Sequence, residues 1–230
     1  MKKVAIIPAR GGSKRIPRKN IKLFLGKPII AYSITAALES NLFDEVMVST
    51  EDEAIANLAQ EYGAKVPFKR SQTTASDYAT TAEVLLEVIQ AYEKQGHFFD
   101  IGCCIYPTAP FVTSTLLQKG LSHLEKEKYD TVFPVLPFSF PIQRAVKINS
   151  QNRVAMFQPE HLTTRSQDLE PAYQDSGQFY WFNVATMKQK QQLWTDNSGV
   201  IHLPPMQAHD IDYLEDWEIA EFKYKFRSKQ

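Results

Sequence analysis

Two stretches of this sequence carry residue types suited to handling a charged phosphate ester. The first, "PARGGSKRIPRKN" from Pro8 to Asn20, follows the apolar "VAII" and holds two adjacent glycines, a serine and five basic residues. Gly11 and Gly12 let backbone N–H groups approach an anion closely, and Ser13 adds a hydroxyl. Arg10, Lys14, Arg15, Arg18 and Lys19 can neutralise a triphosphate, Arg through bidentate bonds and Lys as a mobile point charge. Two or three of the five are expected to point inward, the others to solvent. The second stretch is Asp210-Ile211-Asp212. Carboxylates one residue apart on an extended segment point the same way and can share a hard, oxygen-preferring cation such as Mg2+. Each stretch also has a plain reading, a solvated basic face and a solvated turn.

The basic run coincides with a Gly-rich turn after a buried strand, which favours an anion site over the solvated face. The 230 residues sum to zero net charge, yet nine Lys or Arg fall between Lys2 and Lys27 and the first acidic residue is Glu39. A neutral total argues against nucleic acid or an anionic membrane as partner. The basic loop is not a Walker A loop, because Gly26-Lys27 is followed by Pro28 and Ile21 stands where the first glycine belongs. Nor is it a dinucleotide fingerprint, since Gly11 and Gly12 are adjacent. "VAIIPA" is too short for a signal-peptide core, and no apolar run approaches the roughly 20 residues of a membrane-spanning helix. The only cysteines, Cys103 and Cys104, are neighbours. They read as buried strand residues in a reducing compartment, so the protein is expected in the cytoplasm.

Elements must hold these residues in place. Val4–Pro8 reads as a buried strand, Pro28–Ser40 as a helix, Glu45–Ser49 as a second strand and Lys65–Phe68 as a short third. Thr50 with Glu53, and Thr80 with Glu83, form capping-box patterns that open helices ending near Tyr62 and Lys94. "IGCCIY" and "TVFPV" read as strands, with the helix "TSTLLQKGLSHLEKE" between them. This alternation predicts an α/β, Rossmann-like fold, a mainly parallel sheet with helices on both faces, whose ligands bind at the carboxyl ends of strands. Gln143–Phe157 reads as a hairpin within an arm at about 137–175 that projects from one domain spanning 1–230. "GQFYWFNV" then reads as a strand, and a final helix runs from about Tyr213 to Phe226.

"IIPARGGSKRIPRKNIKLFLGKPIIAYSI" resembles the nucleotide-binding signature of the CMP-sialic acid synthetase family, and Lys19-Asn20 before "GKPII" favours its sialic acid branch over its Kdo branch. "FDEVMVSTEDEAIANLAQEYGA", "KRSQTTASDYATTAEVL" and "HDIDYLEDWEIAE" continue the match along nearly the whole chain. "CCIYPTAPF", "SFPIQRAV" and "TTRSQDLEPAYQDSGQFYWF" look most like the members acting on pseudaminic acid. Tyr106 stands where the ordinary family pattern has a sugar-holding Gln, and Gln174–Gly177 replaces an Arg-Pro-Asn-Gly stretch. Both departures speak against N-acetylneuraminate as the sugar.

The resemblance implies attack by the anomeric 2-hydroxyl of a nine-carbon acidic sugar on the α-phosphate of CTP, releasing pyrophosphate. It implies that Arg10, Ser13 and Lys19 face the phosphates and Asn20 lies near the ribose. Arg70 and Thr81 would meet the cytosine edge, with Ala79 contributing backbone groups; Thr80 already explains itself as a helix cap. Asp210 and Asp212 would hold Mg2+. Gln143, Arg144, Arg165 and Gln178 are candidates for gripping the sugar, Arg165 first because a carboxylate calls for an Arg. His209 is read as structural, and Tyr173 and Tyr180 as core or interface aromatics. The family's arm exchange implies a homodimer. Rival readings are CMP-sialic or CMP-legionaminic acid synthesis, a GT-A glycosyltransferase using its own D-x-D, and a nucleotide-binding regulatory protein without turnover.

Overall fold

Alternation of apolar side chains decides how the chain layers itself. In the computed structural model, which describes residues 1–227, strand β1 (Lys3–Pro8) sends Ala5 and Ile7 to one face of a sheet and Val4 and Ile6 to the other, all four fully buried. A two-residue hairpin, β2 (Leu23–Phe24) and β3 (Lys27–Pro28), leads into α1 (Ile29–Glu39). Then follow β4 (Glu45–Ser49), α2 (Glu53–Glu61), α3 (Thr81–Lys94), β5 (Ile101–Ile105), α4 (Ser114–Glu127) and β6 (Thr131–Pro137). Helices α1, α2 and α4 cover one face of the sheet, where Ile34, Ile55 and Leu121 join Ala5 and Ile7. α3 covers the other, where Leu85 and Ile89 join Val4 and Ile6. Cys103 and Cys104 are fully buried on β5, as the sequence predicts.

Beyond β6 the chain leaves the sheet, forms the small hairpin β7 (Val146–Ile148) and β8 (Val154–Met156), and returns as β9 (Tyr173–Asp175) and β10 (Phe179–Asn183). Helix α5 (Val184–Lys190), strand β11 (Ser198–His202) and helix α6 (Leu214–Arg227) complete it. The sheet order is β11-β6-β10-β5-β1-β4, with β9 paired to β6. β10 runs antiparallel between β5 and β6, whereas β1 pairs in parallel with both β4 and β5. Because β10 is reversed, its first residues lie at the same edge as the last residues of β5, and the Tyr106 amide donates to the Gln178 carbonyl at 2.9 Å. Among the described residues no helix is long and apolar enough to cross a membrane.

Two local expectations are corrected. The helix after β4 is capped by Asp52, whose carboxylate accepts from the Ile55 amide at 3.0 Å, and not by Thr50, whose hydroxyl accepts from the Asp52 amide. Asp52 stands one residue before the helix and reaches its third amide, the geometry an N-cap requires. Lys65–Phe68 is not a strand: only Lys65 bridges to Met47, and Pro67, which carries no N–H, leaves the segment without a ladder. The Thr80–Glu83 capping box, in contrast, is complete.

A third apolar cluster sits apart from the two sheet faces. It gathers Ile16 from the basic loop, Phe24, Ile29 and Phe111, Ile211, and Trp217 and Ala220 of α6. Ile211 is fully buried there, so Asp210 and Asp212 on either side must turn outward. Replacing Ile211 with Ala is therefore expected to cost about 2–5 kcal/mol of stability, read as a lowered urea midpoint at unchanged m-value.

Candidate active site

A cleft of about 260 Å³ opens at the carboxyl ends of β1 and β5, between the loop after β1 and the start of α3. Arg10, Ser13, Lys19, Asn20, Arg70, Ala79, Thr81 and Tyr106, brought from four separate parts of the chain, all line it. Lys14 and Arg15 line it too, so four of the five basic loop residues face the cleft, more than the two or three expected.

The loop owes its path to few contacts. Asn20, buried, donates from Nδ2 to the Arg10 carbonyl at 2.9 Å and so closes the loop on itself. Lys19 reaches 192 residues along the chain to donate to the Ile211 carbonyl at 2.6 Å, with Asp212 Oδ1 at 3.6 Å. Arg15 pairs with the same Asp212 oxygen at 2.8 Å and lies over the Tyr213 ring. Burial lowers the Lys19 pKa, while Asp212 and Asp210 work against that shift. Gly11 is used differently from the phosphate nest expected of it. Its amide donates to Glu51 Oε1 at 2.7 Å, and a Cβ on it would stand 2.5 Å from Asp52 Oδ2. Its lack of a side chain lets the loop lie against the turn before α2. Open space surrounds Gly12.

At the inner end, Arg70 is buried, which lowers its pKa; it donates from Nη2 to the Thr74 carbonyl, with Glu51 and Glu87 as nearby compensating charges. Thr81 is the first residue of α3, and its hydroxyl lies 3.3 Å from the Tyr106 hydroxyl. Burial raises the Tyr106 pKa, so the phenol stays protonated and can donate. The residue expected at the base and the residue expected at the sugar therefore touch.

Asp210 and Asp212 are not part of the cleft lining; Asp210 stands exposed, near enough to Lys19 for their charges to interact, with the surrounding protein and the charge of Asp212 raising its carboxyl pKa. A Cβ on Gly177, which has φ +62°, would come within 2.9 Å of Asp210 Oδ1, so a glycine in the left-handed region is what admits this carboxylate. Asp175 lies close enough for its own pKa to be raised, by burial first and then by Asp210. Among the described residues no ion pair engages Asp210, and no cluster of three protein ligands could hold a metal alone. An all-oxygen donor set short of ligands suits Mg2+, which keeps waters and takes substrate phosphates for the rest of its shell.

The other expected sugar residues do not reach the cleft within one chain. Gln143 donates to the Glu170 carbonyl at 2.9 Å, Arg144 to Ser166 Oγ at 3.4 Å, and Arg165 to Asp168 at 2.6 Å. All three belong to the arm, outside the main sheet. Gln178 is fully buried, with Nε2 bonded to the Ser176 carbonyl at 3.0 Å and within 3.5 Å of the His209 carbonyl. It acts as a strut between the start of β10 and the Asp210 segment. The sequence reading missed Asp77, which pairs with both Arg10 and Lys14, and also Glu51, Asp52 and Asp175. The signal for such partners is the uncompensated charge of the loop itself, which must find carboxylates from later in the chain.

The sequence pattern of the cytidylyltransferase family matches residues 4–222. A pseudaminic acid cytidylyltransferase from Campylobacter jejuni is 43% identical, over 98% of this chain and 97% of that protein. A CMP-N,N'-diacetyllegionaminic acid synthase from Legionella pneumophila is 33% identical, over 96% of this chain and 95% of its own length. In fold, a CMP:2-keto-3-deoxy-manno-octonic acid synthetase solved as a CTP complex superposes with a TM-score of 0.71 at 18% identity, each chain covered completely. The matched span takes in the basic loop, the Arg70–Thr81 recess and the Asp210–Asp212 segment alike, and the chain belongs to the cytidylyltransferase family.

Proposed function

We propose that this protein transfers CMP from CTP to the anomeric 2-hydroxyl of pseudaminic acid, giving CMP-pseudaminic acid and pyrophosphate. The observation that carries the proposal is the convergence of the basic loop, the Arg70–Thr81 recess and Tyr106 on one cleft, with Asp210 near its Lys19. The 43% identity to a pseudaminic acid enzyme directs the choice of sugar. Arg10, Ser13, Lys14 and Lys19 hold the triphosphate, Asn20 keeps the loop closed beside the ribose, and Arg70, Ala79 and Thr81 select cytosine. The 2-hydroxyl oxygen bonds to the α-phosphorus in line with the bond that breaks to pyrophosphate. The work of the protein is positioning and charge neutralisation.

Asp210, with Asp212, would hold Mg2+. When bound, the metal polarises the α-phosphate and favours the ionised hydroxyl. The Tyr106 phenol, held against Thr81, forms a wall common to base and sugar, so its hydroxyl fixes where the sugar stands relative to the α-phosphate. Two buried free thiols suit a reducing cytoplasm.

A homodimer completes the site in this reading. The arm exposes Phe138, Phe140, Ile142, Val146, Ile148 and Val154, an apolar surface that a second copy would cover. Exchange of arms would bring Gln143, Arg144 and Arg165 to the partner's cleft, where Arg165 can meet the sugar carboxylate.

Four outcomes are expected. With CTP and Mg2+, pyrophosphate release should require pseudaminic acid and be absent with N-acetylneuraminic or N,N'-diacetyllegionaminic acid; release with either of those instead would overturn the sugar assignment. Lys19→Ala should lower kcat about 100-fold or more, whereas Thr81→Val should raise KM for CTP about three- to tenfold with kcat nearly kept. Mixing and refolding Arg165→Ala with Asp210→Asn should restore activity absent from each alone, since one cleft of a mixed dimer regains both groups. No recovery would argue against arm exchange.

A further inference from the structure

The basic cradle already contains an anion. Asp77 Oδ1 accepts from Arg10 Nη1 at 2.5 Å, and Asp77 Oδ2 pairs with Lys14 Nζ. All three line the cleft expected to take the triphosphate. The two donors hold the Asp77 carboxyl below the usual carboxylate range, Lys14 contributing most. The other basic loop residues have partners of a different kind. Arg15 and Lys19 are tied to the Asp212 segment, and Arg18 to the helix cap Asp52 at 2.5 Å; those contacts join the loop to α6 and α2. Asp77 joins it to no helix or strand.

The segment around Asp77 is held at its ends; between them the Ala75 and Ser76 amides donate to the Ser71 and Thr73 carbonyls, and among the described residues the Asp77 and Tyr78 amides have no backbone partner. On one side Thr74 is buried, its hydroxyl bonded to Glu87 at 2.6 Å and its carbonyl to Arg70. On the other, Thr80 is locked in its capping box. Ser76, Asp77 and Tyr78 are exposed between these anchors, Tyr78 to 94%. A carboxylate on such a short span can withdraw from the cleft without disturbing the Arg70 recess or α3.

We propose that Asp77 is a resident counter-anion of the phosphate cradle, which yields Arg10 and Lys14 to an incoming triphosphate and reclaims them as pyrophosphate leaves. The proposal rests on the nucleotide reading above. A carboxylate and a phosphate oxygen compete for the same guanidinium and ammonium donors, so the two cannot both be fully bonded. With Asp77 in place, the empty cradle keeps its donors ordered and gives weak purchase to stray polyanions. After transfer, an internal competitor lowers the hold on pyrophosphate and speeds its departure.

The test is calorimetric titration of CTP, inorganic triphosphate and pyrophosphate into the full-length wild type and Asp77→Asn. Removing the competing charge should tighten all three about three- to tenfold, as expected for loss of two exposed ion pairs, and lower the inhibition constant of pyrophosphate by the same factor. Asp77→Ser, which also removes the reach of the side chain, should behave like Asp77→Asn. Hydrogen exchange supplies a second readout. Amides of residues 75–78 should exchange faster in wild type once CTP binds, and equally fast in Asp77→Asn with or without CTP. Unchanged or weaker binding by both variants, with wild type still binding CTP, would overturn the proposal alone; weaker binding would make Asp77 a ligand contact. Wild type that binds none of the three would overturn the nucleotide reading together with it.

Discussion

The Lys19 ammonium is the tie on which the site depends. It holds the Ile211 carbonyl at 2.6 Å and lies beside Asp212, joining the loop after the first strand to the segment before the last helix. Apart from one 3-10 turn at Lys19–Ile21, the loop has no helix or strand to keep it in place, and the Asp210–Asp212 segment has none. Their positions come from this charge pairing and from Ile16 and Ile211, which share one small apolar cluster beneath them. The two effects reinforce each other. Burial of the isoleucines fixes the backbone, and the partly dehydrated surroundings strengthen the interaction between Lys19 and the carboxylates.

The reversed strand β10 explains how residues from distant parts of the chain meet in so little space. Parallel strands β1 and β5 deliver the basic loop and Tyr106 to one edge of the sheet. β10 begins at that same edge, so Gly177 and Gln178 stand beside Tyr106 and support the Asp210 segment. A parallel strand in that slot would place its first residues at the far edge, some five residues away. Tyr106 then meets Thr81 at the start of α3, hydroxyl to hydroxyl at 3.3 Å, within the lining of the cleft.

Much of this was legible in the sequence, for identifiable reasons. β1, β4 and β5 announce themselves as short apolar runs between polar turns, and α3 by its capping box. The convergence of Arg10, Lys19, Arg70 and Thr81 was legible only through the family resemblance, because side chains separated by up to 71 residues give no local sign of meeting. β11 escaped notice because it is an edge strand with every second residue facing outward, and a five-residue alternation carries little signal. Strand direction was likewise hidden, since the apolar "FYWF" of β10 suits either orientation. Asp77 looked like an ordinary polar loop residue. Its importance comes from the cations opposite it, which belong to a distant part of the chain.

The excursion that carries the arm starts from β6 and comes home through β9, which pairs with that same strand at Val135 and Leu136. Its two ends are thus bonded to each other, like the neck of a bag. Closing such an insertion costs only a logarithmic term in its length. Residues can be gained, lost or exchanged beyond the neck with little effect on the sheet or on the basic loop. The arm can therefore change in length and sequence while the loop and strand ends that line the cleft keep their geometry.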